Sequence, residues 1–234
     1  MRQIILDTET TGISHEEGHR IIEIGCIELV ERRFTGRTFH VYINPEREVD
    51  KGAFQVHGIS NEFLQDKPRF ATIAADFIDF IKEAELVIHN APFDVGFLNA
   101  ELARLDSTSR LEQMCQITDT LEIARAKHPG QRNSLDALCK RYDVDNTRRR
   151  FHGALLDAEL LGWVYLALTG GQRTLFLEAE DELPTKQHAA AQTHSKITSQ
   201  VATKVILPNQ AEQEAHDKFV ALVAEQAKVN LWQD

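Results

Sequence analysis

Apolar residues in the N-terminal part of the chain fall into three short stretches that are typical of β-strands. Residues 4–6 form an apolar run that ends at Asp7. Residues 21–30 are rich in isoleucine and valine, and residues 39–43 alternate until an Asn-Pro pair interrupts them. Because the links between these stretches are short, we predict that they form an antiparallel meander.

Beyond residue 68 the spacing of apolar residues changes to that of helices, with one further strand among them. Residues 86–88 form a compact apolar run that is typical of a buried strand. One helix is predicted from Phe70, Ile73, Ala74, Phe77, Ile78 and Ile81, and others follow the cap candidates Asn90, Ser134 and Gly153. This order of elements predicts an α/β fold in which helices cover a mixed sheet.

The composition changes after residue 171 and predicts a tail without a core of its own. Residues 178–204 contain few large apolar side chains, which is typical of a flexible linker. A helical apolar pattern that includes Phe219 and Trp232 follows, and we expect it to dock on a partner. We therefore predict three segments, which are a domain at 1–171, a linker at 172–205 and a partner-binding segment at 206–234.

Composition and charge narrow the class of protein. The chain has 234 residues and a formal net charge of −10, which disfavours a protein that coats nucleic acid by electrostatics alone. An acidic chain can still act on nucleic acid where bound cations supply positive charge. No apolar run approaches the roughly 20 residues of a membrane span, and we expect a cytoplasmic protein. The three widely spaced cysteines favour buried thiols over a disulfide or zinc site.

Four carboxylates are candidates for a functional site. Asp7 and Glu9 are two residues apart, so a continuing strand would place both on one face, although an exposed acidic strand end is equally compatible. Asp94 lies in the first turn of the helix predicted after Asn90, where the helix dipole alone could account for it.

Asp157 is the most informative of the four because it interrupts an apolar helical stripe. The stripe consists of Ala154, Asp157, Leu161, Val164 and Leu168. Burial of an unpaired carboxylate costs on the order of several kcal/mol, so Asp157 needs a metal ion or a basic side chain as its partner. The sequence alone leaves both partners open.

The residue types suit metal-assisted chemistry. Carboxylates without cysteine ligands favour a hard divalent cation, Mg²⁺ or Mn²⁺. Two such ions about 4 Å apart can hold the attacking and leaving oxygens of a phosphoryl displacement. His152, just before the Asp157 helix, could act as a base near neutral pH, although a lone histidine is more often structural.

Three segments resemble the exonuclease motifs of the DEDD superfamily in its histidine subclass, DEDDh. They are Asp-Thr-Glu at 7–9, His-Asn-Ala-Pro-Phe-Asp at 89–94 and His-Gly-Ala-Leu-Leu-Asp at 152–157. Together with residues 21–25, 56–59 and 132–139, they resemble the proofreading subunits of bacterial replicative DNA polymerases from residue 2 to about 171. The resemblance implies a ribonuclease-H-like fold with a five-stranded mixed sheet, and 3′→5′ exodeoxyribonuclease activity that proofreads DNA synthesis.

The resemblance also implies a role for each matching residue. Two divalent cations, Mg²⁺ or Mn²⁺, would be bound by Asp7, Glu9, Asp94 and Asp157, and the substrate would contact Asp7, Glu9, His57 and Asp157. His152 would be the general base. Gly52 departs from the pattern, because related proteins carry there a glutamate that touches the substrate. The basic turn at 148–150 could contact phosphates or be solvated.

The tail resembles the same subunits. Residues 172–176 (Gln-Arg-Thr-Leu-Phe) resemble a short peptide that binds the sliding clamp. The resemblance further implies that 206–234 binds the polymerase subunit, and it leaves open whether a small third subunit joins them. Two alternatives remain at this point, an RNA-trimming exonuclease of the same superfamily and a non-catalytic scaffold between clamp and polymerase.

Overall fold

The computed structural model describes residues 1–105, 110–147, 149, 151–170 and 210–227. The described residues belong to two units, of which the first contains everything up to residue 170 and the second contains one helix. The predicted linker at 172–205, the candidate clamp peptide at 172–176 and Trp232 lie outside the described residues, and so does the side chain of Phe219.

Five strands form one sheet in the described part of the first unit. They are β1 (Arg2–Thr10), β2 (Ile21–Val30), β3 (Arg33–Tyr42), β4 (Glu85–Ile88) and β5 (Gln116–Asp119). Their order across the sheet is β3-β2-β1-β4-β5. The first three strands pair in antiparallel fashion, whereas β4 is parallel to both β1 and β5. The predicted meander and the mixed five-stranded sheet are both confirmed.

Helices connect and cover these strands. Those of the first unit are α1 (Lys51–His57), α2 (Asn61–Leu64), α3 (Phe70–Ile81), α4 (Ala91–Leu105), α5 (Leu111–Met114), α6 (Thr120–Lys127), α7 (Leu135–Arg141) and α8 (Ala154–Thr169). The second unit contains α9 (Gln210–Ala227). None of the helices in the described ranges has the length and apolar character needed to cross a membrane.

Alternate side chains of the central strands pack into cores on opposite faces of the sheet. On one face Ile4 and Leu6 of β1 pack with α3 and α4. On the other face Ile5 packs with Ala158 and Leu161 of α8. The α/β fold predicted from the sequence is therefore confirmed, with helices covering both faces. Cys26, Cys115 and Cys139 are free and buried, as the cysteine spacing predicted.

Some predicted boundaries are wrong for physical reasons. The third strand begins at Arg33 rather than at residue 39, because its first half lies on a solvent-exposed sheet edge and lacks an apolar signal. Ser134 caps α7 through a hydrogen bond from the Ala137 amide, as predicted. Asn90 precedes α4 with a φ of 66°, in the left-handed region, and not in the extended conformation usual for a cap residue.

Gly25 joins the sheet to the helix that carries Asp157. It pairs with Asp7 across β1 and β2. A Cβ at Gly25 would lie 2.3 Å from the carbonyl carbon of Ala154 and 2.3 Å from the amide nitrogen of Leu155. The backbone of α8 can therefore approach β2 this closely only because residue 25 has no side chain.

Gly25→Ala should push the start of α8 away from the sheet. We expect it to lower the free energy of unfolding by roughly 1–3 kcal/mol, as overpacked sites do, and to displace Asp157. Urea unfolding would measure the loss. Gly52→Ala is the matched control for stability, because no atom of the described residues lies within 4 Å of a Cβ at Gly52. Equal stability of the two variants would contradict this account of the contact.

Candidate active site

The first strand carries its acidic residues beyond the end of its parallel neighbour. β4 pairs with β1 only at Gln3, Ile4 and Ile5, so Asp7 and Glu9 extend past the last paired residue. Their positions on the strand agree with a shared site, because both side chains line one cavity. The register between β1 and β2 shifts after Glu9, which is a local irregularity of the kind often found beside active sites.

Helix α4 begins just after β4 and brings Asp94 to the same edge of the sheet. Asp94 is buried in the first turn of α4, as the sequence predicted. The Thr8 hydroxyl donates a hydrogen bond of 2.7 Å to its Oδ1. A parallel strand followed directly by a helix therefore positions this carboxylate against the end of β1.

Helix α8 brings Asp157 from the opposite face. Asp157 is only 3% exposed, and the four apolar members of its stripe, Ala154, Leu161, Val164 and Leu168, are buried as well. The apolar stripe that placed this carboxylate in the interior is thus confirmed. His152 lies before the first turn of α8 with its side chain 45% exposed, and its Nδ1 is 3.4 Å from Asp157 Oδ2.

Five of the six predicted site residues meet in one cavity of about 840 Å³, which is lined by Asp7, Glu9, Asp94, His152 and Asp157. Potential ligand atoms of Glu9, His152 and Asp157 all lie within 4.8 Å of one another. Several carboxylate oxygens so close together suit a hard divalent cation, which would neutralise the negative charge at this site.

Burial disfavours the charged form of three of these carboxyl groups, and repulsion from neighbouring carboxylates adds to this effect for Asp7 and Glu9. Burial raises the pKa of Asp7 well above its usual range, and the charges of Asp94, Glu9 and Asp157 raise it further. Burial and the charge of Asp157 raise the pKa of Glu9 to about 8. Burial also raises the pKa of Asp94 to about 7, against the hydrogen bond from Thr8.

His57 lies beside this cavity rather than in its wall. It is buried at the end of α1, and its Nδ1 accepts a hydrogen bond of 3.0 Å from the Ile59 amide. The proton is therefore on Nε2, which is buried and has no hydrogen-bond partner among the described residues. The amide of His152 donates to the carbonyl of Val56 at 3.2 Å, which ties the two histidine segments together. A buried donor without a partner is a group that a ligand could satisfy.

Arg149 was not singled out from the sequence, although it contacts Asp157 directly. Its Nε and one terminal nitrogen donate to the two oxygens of Asp157 at 2.6 Å each. The basic turn at 148–150 was predicted to contact phosphate or to be solvated. For Arg149 the solvated alternative is wrong, since its side chain is 8% exposed, and the phosphate contact stays a prediction. The sequence did indicate a positive partner of this kind, because a buried Asp157 requires a metal ion or a basic side chain.

Glu23 is a buried carboxylate next to the site that the sequence analysis did not identify. It lies opposite Glu9 on the neighbouring strand β2. One of its oxygens is 2.7 Å from His40 Nε2, and its Oε2 has no partner within the described residues. Its charge is among the causes that raise the pKa of Glu9, so the repulsion at the site extends one strand beyond the predicted residues.

Comparisons with known proteins agree with this geometry. A family model described as exonuclease matches residues 4–165. DNA polymerase III subunit epsilon of Pasteurella multocida is 50% identical over 99% of this chain and 93% of that protein. The subunit of the same name from Escherichia coli K12 is 49% identical over 99% of this chain and 97% of that protein.

Among solved structures, the zinc-bound form of an E. coli exonuclease I complex with single-stranded DNA has a similar fold, with a TM-score of 0.61. That match covers 71% of this chain and 40% of the other at 19% identity, so it shows the fold alone. The ribonuclease-H-like architecture predicted from the sequence is thereby confirmed.

The chain therefore belongs to the exonuclease family, and within it to the family of DNA polymerase III epsilon subunits. It is a 3′→5′ exonuclease, as the sequence motifs predicted. Family membership disfavours the non-catalytic scaffold that the sequence alone left open.

The raised pKa values predict how stability depends on pH. At pH values between the usual pKa of a glutamic acid and the raised pKa of about 8, Glu9 keeps its proton in the folded chain and has lost it in the unfolded chain. The free energy of unfolding in chelator should therefore fall as pH rises through this window, by on the order of a few kcal/mol. Urea unfolding at several pH values would measure this slope.

Asp94→Asn is the matched control, because it removes one of the titrating carboxyl groups, whose pKa is about 7. The slope should be shallower in that variant. Stability that rose with pH across the same window in chelator would contradict the proposed repulsion.

Proposed function

We propose that this chain removes nucleotides one at a time from the 3′ end of a single-stranded or frayed DNA strand, and so proofreads DNA synthesis. The observation that carries the proposal is the convergence of four carboxylates and His152 on one cavity. The DNA substrate is inferred from the family of polymerase subunits to which the chain belongs.

Asp7, Glu9, Asp94 and Asp157 would hold two divalent cations, Mg²⁺ or Mn²⁺. When bound, such ions supply charge stabilisation for both the attacking and the leaving oxygen of the phosphoryl displacement. The donor set supports this assignment, because the groups are oxygen ligands, two of the four have pKa values raised to about 7 and 8, and all face one cavity.

His152 would accept the proton of the attacking water. Its imidazole is half-exposed and lines the cavity, and partial burial together with the charge of Arg149 lowers its pKa, which keeps it neutral and able to accept a proton. The water oxygen bonds to phosphorus, the bond from phosphorus to the 3′ oxygen breaks, and the departing oxygen takes up a proton from solvent. The products are a nucleoside 5′-monophosphate and a strand that ends in a new 3′ hydroxyl.

His57 would contact the terminal nucleotide. Its Nε2–H is a buried donor that makes no hydrogen bond of good geometry within the described residues, and a phosphate or sugar oxygen would satisfy it. Gly52 supplies no side chain to the substrate, and no atom of the described residues lies within 4 Å of the position that a Cβ would take there.

Selectivity for mismatched ends needs no pocket that reads the base. A mismatched 3′ end frays more easily than a paired one, so it reaches the cavity as a single strand more often. Attachment to a polymerase would add a high effective concentration of such ends.

The assembly proposed from the sequence has three segments. Residues 1–171 would be the exonuclease domain, 172–205 a linker that opens with the clamp-binding peptide 172–176, and 206–234 the segment that binds the polymerase (alpha) subunit. Helix α9, at Gln210–Ala227, provides a helical element within that last segment. Whether a small third core subunit binds is a separate question for reconstitution of the complex.

Magnesium-dependent digestion of a 5′-labelled single-stranded DNA tests the substrate and the activity together. We expect a ladder of products shortened from the 3′ end and weak digestion of an RNA of the same sequence. The Asp7→Ala variant should lose the ladder, because it lacks one of the proposed cation ligands. Faster digestion of the RNA would favour the RNA-trimming alternative and contradict the proposal.

The His152→Ala variant tests whether His152 is a general base or a cation ligand. Loss of a general base lowers the turnover rate by roughly 10²–10⁴-fold, while the carboxylates remain able to bind cations. Single-turnover kinetics would measure the rate, and Mn²⁺ titration of the same variant would measure cation binding. A large loss of Mn²⁺ affinity would assign His152 a ligand role instead.

A further inference from the structure

Arg149 holds two of the proposed active-site residues at once. Its Nε donates to Asp157 Oδ1 at 2.6 Å, and one terminal nitrogen donates to Asp157 Oδ2 at 2.6 Å. The same terminal nitrogen lies 2.9 Å from His152 Nδ1. The planar guanidinium thus spans the carboxylate and the imidazole in a fixed geometry.

The other side of the guanidinium is anchored outside the carboxylate cluster. Its second terminal nitrogen donates to Asp136 Oδ1 at 2.6 Å. Asp136 is 58% exposed at the start of α7, and the side-chain amide of Asn146 also donates to it at 3.0 Å. Arg149 therefore has a second carboxylate on which it can remain if it leaves Asp157.

This geometry places Arg149 where a cation at Asp157 would have to bind. Both Asp157 oxygens accept from the guanidinium, and these oxygens lie within 4.8 Å of ligand atoms of Glu9 and His152. A divalent cation between Glu9 and Asp157 would compete for Asp157 and would repel the neighbouring positive charge.

The same contact occupies the proposed base. Because a guanidinium can only donate, His152 Nδ1 must accept its hydrogen bond, and the lone pair of that nitrogen is in use. While Arg149 stays in place, His152 Nδ1 is not available to accept a proton from water. Withdrawal of Arg149 would release a cation ligand and a base together.

We propose that Arg149 is a positioning residue that holds Asp157 and His152 until a divalent cation takes its place on Asp157, after which it is retained by Asp136. The inference rests on the function proposed above, because it assumes that Asp157 is a cation ligand. It couples cation binding to the availability of His152, so that the base is released only at a loaded site.

Titration of the full chain with Mn²⁺, followed by calorimetry, tests the competition. Arg149→Ala should bind Mn²⁺ roughly tenfold more tightly than the unchanged chain, since a charge-assisted hydrogen bond contributes about a decade to an equilibrium constant. The variant should also melt at a lower temperature in chelator, because it leaves Asp157 buried without its partner. Equal or weaker Mn²⁺ binding by Arg149→Ala would overturn the proposal.

Arg125→Ala is the matched control. Arg125 lines the same cavity and carries the same charge, but it makes no ion pair with a carboxylate of the described residues. Its substitution should change Mn²⁺ affinity by much less than that of Arg149. An equal gain in both variants would indicate a general effect of charge and would overturn the specific exchange.

Arg149→Lys keeps the charge and loses the planar fork, so its Mn²⁺ affinity should lie between those of the unchanged chain and Arg149→Ala.

A second measurement needs no variant at all. The Nε–H resonance of Arg149 in the unchanged chain should shift when diamagnetic Mg²⁺ is added, and a resonance that does not move would contradict displacement. If the unchanged chain binds neither Mn²⁺ nor Mg²⁺, the proposed function itself fails together with the exchange.

Discussion

Repulsion among buried carboxylates is the constraint on which the rest of this structure depends. Asp7, Glu9, Asp94 and Asp157 face one cavity, and Glu23 adds a further buried carboxylate behind Glu9. Groups of like charge in a poorly solvated space separate unless rigid elements hold them or cations neutralise them. The sheet and helices hold the carboxylates in place, and the positive charge of Arg149 neutralises part of their negative charge.

The fold meets this constraint by bringing three separate elements to one sheet edge. β1 extends past β4, so its acidic end is not covered by the neighbouring strand. Helix α4 follows β4 directly on one face, and α8 packs on the opposite face through the close approach at Gly25. Because the strand and helices that carry these carboxylates are held by the apolar cores on both faces of the sheet, the cores offset the electrostatic cost at the site.

The sequence was most informative where a charged residue occurred in an otherwise apolar pattern. Asp157 in an apolar stripe predicted burial and a positive partner, and both were found. Strand β5 could not be located, because it lies at a sheet edge and contains only Ile117 as a large apolar residue. The partner of Asp157 could not be named either, because the sequence has three consecutive arginines at 148–150, and only the structure shows that Arg149 contacts Asp157.

The central claim is that the carboxylate cluster is completed by divalent cations, and anomalous scattering from crystals grown with Mn²⁺ tests it most directly. The account predicts two anomalous peaks about 4 Å apart among Asp7, Glu9, Asp94 and Asp157, with the guanidinium of Arg149 turned away from Asp157. Crystals with no anomalous density in this cavity, and with Arg149 still bound to Asp157 at saturating Mn²⁺, would contradict it.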